Sequence, residues 1–332
     1  MRVADRPPSD TSLDSVERER DLTRTYRILA IVMVVMLCTI IVSGAIVRLS
    51  NSGLGCSDWP RCEPGHFTDL GNVNQRIEQF NRFYSGLIIV PIAISLIVAY
   101  MMKPRRRDLV KLSWILVVLY LFEAVLGGVA VLVNLQWVSV MSHFLLAIVL
   151  LGVSLVNLDR ARVAHTPEPA PPTSVTRRLV VVVWFGVVTI IVLGTLVTAA
   201  GPHGGDRLHA ARLRWPIEDA ARTHGVTVNV VLALLLYLIW RLRRERHAVG
   251  MHVAGLLLIA MFVQAGIGYW QWYEQIPPVL VGFHVGGATI VFVAATWMLL
   301  TLAVRPARRQ TRAPGGPEPV QVRRAVWQPA GS

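Results

Sequence analysis

Eight apolar stretches of bilayer-spanning length interrupt this chain, at about 28–47, 83–102, 112–133, 137–158, 179–200, 224–241, 248–270 and 279–303, and its charges fall in short blocks between them. Roughly 20 apolar residues make a helix that crosses the hydrocarbon of a bilayer. With no water to satisfy backbone N–H and C=O groups there, each stretch reads as a helix. The expectation is an all-α integral membrane protein with eight transmembrane helices. A hydrophobic fraction of 54% and a mean hydropathy of +0.52 are too high for an ordinary soluble domain.

A net charge of +13 and a pI near 10.7 would suit a nucleic-acid binder, but the placement of the basic residues gives a better account. The two tails and the segments 103–111, 160–178 and 241–246 hold 25 of the 33 Lys and Arg. By the positive-inside rule both termini are then cytoplasmic, and the loops 48–79, 134–136, 201–223 and 271–278 face outward. Arg runs that abut apolar spans meet anionic lipid headgroups, so membrane lipid is the expected partner and nucleic acid is not. Residues 1–27 read as a disordered cytoplasmic tail, and residues 304–332 likewise.

The chain repeats itself. Glu123-Ala-Val-Leu-Gly127 precedes His143 by the same interval at which Gln264-Ala-Gly-Ile-Gly268 precedes His284, and Ile41-Val42-Ser43-Gly44 aligns with Ile191-Val192-Leu193-Gly194. This predicts two pseudo-symmetric four-helix bundles, 28–158 and 179–303, joined by a Pro-rich cytoplasmic linker over 159–178. Parallel repeats of an even helix number keep one orientation, so equivalent sites lie at equal depth.

Ionisable residues in hydrocarbon ask for partners. His224 and His284 open the sixth and eighth spans, and two inward imidazoles at one depth suit axial ligation of a haem. The bland alternative is a pair of hydrogen-bonded interfacial histidines. A zinc site lacks a third and fourth nearby Cys or carboxylate. In the first half the matching pair is His143 and Asn81, which offers one good iron ligand. Glu78 stands one turn before Asn81 on the same face, where a carboxylate could move protons; the competing reading is an interfacial partner for Arg82. Glu123 lies midway along the third span, where a packing role is the simpler expectation. Cys56 and Cys62, in the first outer loop, read either as a disulfide in an oxidising exterior or as exposed redox-active thiols. Cys38 reads as packing.

The run Arg48-Leu49-Ser50-Asn51-Ser52-Gly53-Leu54-Gly55-Cys56-Ser57-Asp58-Trp59-Pro60-Arg61-Cys62, followed by Glu78-x-x-Asn81-Arg82 and by His143, His224 and His284, resembles the haem A synthase family across residues 28–303. The resemblance implies haem b held between His224 and His284, and haem O as substrate in the amino-terminal half with His143 as its iron ligand. It implies oxidation of the haem O methyl at C8 to a formyl group by successive hydroxylations, with Glu78 as the essential carboxylate. Three positions depart from the family pattern: Asn81 where a histidine is usual, Glu123 where Gln is common, and the absence of a cysteine pair in 201–223.

Two further classes compete. A b-type cytochrome that relays electrons would use His224 and His284 but leave Glu78 and the cysteines without a task. A transporter would need matched broken helices, and Pro91 has no counterpart in the sixth span. Candidate partners beyond haem O are haem O synthase, cytochrome oxidase assembly factors and a second copy of the chain, with the plasma membrane as the location.

Overall fold

The computed structural model of the chain describes residues 10–162, 170–206 and 208–304. Its elements are α1 (Asp10–Leu49), α2 (Val73–Leu87), α3 (Ile89–Met101), α4 (Arg107–Leu132), α5 (Trp137–Arg160), α6 (Ser174–Ala200), α7 (Ile217–Arg244), α8 (Ala248–Tyr273) and α9 (Pro278–Leu299), the last running into a π-turn over Leu300–Val304. Among the described residues, eight helical segments are long and apolar enough to cross a membrane; α2 and α3 together make the second. The protein is a multi-pass, all-α membrane protein.

The break between α2 and α3 follows from Pro91. Proline has no N–H to donate to the carbonyl of Leu87, and its ring crowds that carbonyl, so the helix is interrupted one turn upstream at Ile88. The Ser85 carbonyl released there accepts from Ile88 N at 3.2 Å and from the Tyr120 hydroxyl of α4 at 3.2 Å.

Each half closes the same ring of neighbours. In the first, α1 packs on α3 and α5, α3 on α4, and α4 on α5; in the second, α6 packs on α7 and α9, α7 on α8, and α8 on α9. The halves meet through α1, α5, α6 and α9. A continuous core runs through this seam, with Met33 and Leu37 of α1, Leu151 and Leu155 of α5, Val183 and Val187 of α6, and Phe292 and Met298 of α9 all buried. The outer faces of α4 and α8 present Phe122 and Val125, and Ile259 and Phe262, an apolar surface suited to lipid.

Two tight turns set the depth at which α5 and α9 begin. Asn134 and Leu135, between α4 and α5, and Gln275 and Ile276, between α8 and α9, all adopt the left-handed region, at φ 53°, 54°, 59° and 62°. For a β-branched residue such as Ile276 that is costly, about 1–3 kcal/mol. In both turns the second residue's N–H closes onto the preceding helix, Leu135 N to Ala130 O at 2.8 Å and Ile276 N to Gln271 O at 2.7 Å.

The amino-terminal region departs from expectation. Residues from Asp10 onward continue α1 rather than forming a disordered tail. At about 1.5 Å per residue, a 40-residue helix outruns a bilayer core of about 30 Å. Its extension is held by packing that no local pattern announces: Tyr26 is fully buried, donates to Asn157 Oδ1 at 2.7 Å and meets Ser113 Oγ at 3.0 Å, beside Val98, Met102 and Leu109. The expected tail residues 1–9 and 304–332 fall outside the described residues except for Val304, as do 163–169 of the expected linker, Pro167 and Pro169 included.

Candidate functional site

Helix α2 begins at Val73, earlier than the apolar pattern suggests, because Asn72 and Gln75 form a reciprocal cap: Asn72 Oδ1 accepts from Gln75 N at 2.9 Å and Gln75 Oε1 from Asn72 N at 3.0 Å. Glu78 and Asn81 are therefore inside a helix, not at its mouth. Glu78 is only 4% exposed, covered by the loop between α1 and α2. Its Oε1 accepts from Arg82 at 2.6 and 3.0 Å, and its Oε2 accepts from the backbone N of Cys56 at 2.7 Å. Arg82 also donates to the carbonyls of Asp58 and Arg61, at 2.9 and 3.1 Å. The pair thus grips both limbs of the loop that Cys56 and Cys62 close by a disulfide. Trp59 of that loop lies on Gly128 of α4, where an added Cβ would overlap the indole.

The three histidines share one seat. A Cβ on Gly127 would come within 2.9 Å of the His143 ring, one on Gly268 within 3.0 Å of His284, and one on Gly194 within 3.3 Å of His224. Each imidazole therefore brings its Cε1 close against a neighbouring helix at a glycine, where an added Cβ would crowd the ring. The fourth equivalent glycine, Gly44, has nothing within 4 Å. Asn81 is too short to fill that place, and its Nδ2 donates to Ser43 Oγ at 2.8 Å.

The structure brings His224 and His284 together, with ring centres 6.3 Å apart and planes at 68°. His224 Nδ1 donates to the Ile190 carbonyl at 3.1 Å, which leaves Nε2 with its lone pair free. The Nδ1 of His284 is buried without a hydrogen-bond partner. An iron between two imidazoles needs ring centres about 6 Å apart, since a metal–nitrogen bond is about 2 Å and each ring centre sits about 1 Å behind its nitrogen. The pair fits a haem held from both faces. Among the described residues no three His, Cys, Asp or Glu side chains converge as a metal cluster.

His143 stands without a second histidine. Its Nδ1 is buried 3.2 Å from Glu123 Oε1, yet its side chain is 42% exposed within a span, so the open part of the ring is the part away from Nδ1. In the other half the Gln264 side chain donates its Nε2 to the His284 backbone carbonyl at 2.7 Å.

The α1–α2 and α6–α7 loops are tied across the seam. Gly53 N donates to Gly205 O at 3.0 Å, Arg48 to the His203 carbonyl at 3.0 Å, and His203 Nε2 meets the Ile276 carbonyl at 2.8 Å. The loop joining α6 to α7 has no cysteines and is closed instead by Arg212, which donates to the carbonyls of Gly201 and Pro202.

A family model described as COX15-CtaA, cytochrome oxidase assembly protein, matches residues 27–67 and 67–202. The chain belongs to the COX15-CtaA family. The matched part of this COX15-CtaA chain runs from α1 through α6 and holds the disulfide loop, Glu78, Asn81, Glu123 and His143. Among curated relatives, the chain is 28% identical over 243 residues to a heme A synthase of Alkalihalophilus pseudofirmus, covering 68% of the chain and 79% of the relative. It is 26% identical over 133 residues to a heme A synthase of Bacillus pumilus, covering 40% and 41%.

Residues the motif pattern does not single out complete the site. In the sequence Gly127, Gly194 and Gly268 stand out only as marks of the repeat; Gly127 and Gly268 share an equal offset from His143 and His284, which is the signal of a seat, whereas Gly194 is spaced differently from His224. Arg82 and Trp59 stand in the motif runs, and Glu78 is an expected partner of Arg82, but the Asp58 and Arg61 carbonyls and Gly128 are further partners that no sequence pattern announces.

Proposed function

We propose that this chain is a haem A synthase, a membrane oxidoreductase that converts the C8 methyl of haem O to the formyl group of haem A for cytochrome oxidase. Family membership and the two named relatives support the reading. The single observation that carries the division of labour is the inequality of the halves: His224 faces His284, whereas His143 faces no second imidazole.

Bound between His224 and His284, haem b would supply one-electron transfer. Converting a methyl to a formyl group takes up one water overall and releases four protons and four electrons, by two hydroxylations and loss of water from the geminal diol. His143 holds the substrate haem from one face. Asn81, tied to Ser43, leaves the opposite face without a strong ligand. Glu78, buried beneath the loop, is proposed as the group that accepts protons beside the substrate. Its ion pair with Arg82 and its bond to Cys56 N favour a second role, that of anchoring the disulfide loop over the amino-terminal half.

Both termini are placed in the cytoplasm on the distribution of Lys and Arg, and the joined outer loops on the opposite side of the plasma membrane. The two halves are proposed to be related by pseudo-symmetry. Haem O synthase as supplier, oxidase assembly factors as recipients and a homo-oligomer complete the proposed partners.

The test is the pigment of protein purified from cells that make haem O. Haem A or haem O beside haem b is expected; haem b alone, in membranes that form no haem A, would favour an electron relay.

A further inference from the structure

The side chains of Glu123 and Gln264, at matched positions of the two halves, go to different partners. In the second half Gln264 lies against α9 at Gly287, so closely that a Cβ there would overlap its Oε1, and from this position it reaches the backbone carbonyl of His284. His284 Nδ1 is left with no partner. The residue three places after His143, equivalent to Gly287, is Leu146. In the first half Glu123 points to the imidazole, with Oε1 3.2 Å from His143 Nδ1. The 3.2 Å approach is a contact and not a formed hydrogen bond: His143 Nδ1 and Glu123 Oε2, like His284 Nδ1, are buried without a hydrogen-bond partner.

Residues that ligate metals through one imidazole nitrogen commonly donate the other N–H to a carboxylate, which fixes the tautomer and ring orientation and makes the ligand more basic. Given the reading of His143 as the iron ligand of the substrate haem, we propose that Glu123 is a positioning residue for that reaction: it accepts the Nδ1–H of His143, holds Nε2 toward the substrate iron and makes His143 a stronger donor than His284. The Glu123–Leu146 combination and the Gln264–Gly287 combination are then two alternative settings of one seat. The first tunes a haem held from one face, and the second leaves a haem held from two faces to its paired imidazoles.

The experiment uses the full chain carrying its resident haem and measures, for the ferrous substrate-haem complex, the iron–imidazole stretching frequency by resonance Raman together with haem O retention. Glu123→Gln should lower the frequency and weaken retention by about 10–100-fold. The low-spin spectrum of the His224–His284 site should stay unchanged in the same sample, which certifies folding. The double variant Glu123→Gln/Leu146→Gly, which rebuilds the second-half arrangement, should show the same lowered frequency. If Glu123→Gln loses the low-spin spectrum, Glu123→Asp and Glu123→Ala replace it, and the aspartate should recover part of the frequency that alanine loses. His143→Ala separates this inference from the reading beneath it. Loss of haem O in His143→Ala, with frequency and retention unchanged in Glu123→Gln, overturns the inference alone; full retention in His143→Ala overturns the role of His143 and the inference with it.

Discussion

His224 and His284 face each other across the carboxyl-terminal bundle with ring centres 6.3 Å apart, each ring resting on a glycine of the helix beside it. Replacing either histidine with Met or Ala should abolish a low-spin haem spectrum, measured by absorbance of the purified protein. Unchanged spectra in both single variants would show that the pair does not ligate.

The glycine seats allow a sharper contrast. Gly268→Ala, whose Cβ would lie 3.0 Å from His284, should broaden or shift that spectrum, whereas Gly44→Ala, with nothing within 4 Å, should leave it intact. Equal effects from the two substitutions would mean that the seat plays no part in holding the ring.

Glu78 joins the loop to α2, and Glu78→Gln keeps its shape while removing its charge. As the proton acceptor, its loss should leave haem b in place while haem O or a hydroxylated intermediate accumulates in extracted pigment. As an anchor, its loss should weaken the loop by about 1–3 kcal/mol, the cost of leaving a buried donor poorly satisfied. Haem A at wild-type yield from this variant would remove Glu78 from the chemistry.

Cys56 and Cys62 are bonded to each other in the first outer loop. Maleimide labelling of fresh membranes should modify neither thiol before reduction and both after it. Free labelling of both without reductant would assign them to redox cycling and not to a standing bridge.

Gly128 makes room for the Trp59 indole. Gly128→Ala should cost about 1–3 kcal/mol by overpacking, read as a lower unfolding temperature in detergent. Trp59→Ala combined with it should recover much of that loss, since the nearest atoms such a Cβ would meet belong to the indole.

At the far end of α7, Glu245 accepts from Thr176 Oγ1 at 2.5 Å and Thr173 Oγ1 at 2.7 Å. Partial burial acts to raise its carboxyl, but these hydrogen bonds and the Arg241 charge outweigh that and hold it below the usual carboxylate range. A depressed carboxyl stabilises the fold above the ordinary Glu value of about 4.3, and that contribution is lost as pH falls through the lower folded value. Unfolding temperature measured from pH 6 to pH 3 should fall for the wild type and fall less for Glu245→Gln.

Spanning helices are legible in the sequence because hydrocarbon leaves a backbone no other way to satisfy its hydrogen bonds, so length and apolarity suffice. The repeat puts His143 and His284 at matched positions, and the turns at Leu135 and Ile276 are its structural counterpart. The polar start of α1 is not legible as helix, because its stabilisation comes from Tyr26 reaching Ser113 and Asn157, contacts of long sequence separation that no amphipathic pattern records. The early start of α2 is legible in principle, through the Asn72–Gln75 cap.

The order of residues alone determined which side chains had to be exceptional, since a His or Glu inside an apolar span is expensive and must be matched by something. Only the tertiary structure decided what matches it. Glu78 went to Arg82 and Cys56, and Glu123 went to His143 while its counterpart Gln264 went to a backbone carbonyl. The reason is steric: a polar side chain in a packed bundle takes whichever partner its neighbours leave in reach, and the room that Gly287 leaves for Gln264 Oε1 alters no apolar period.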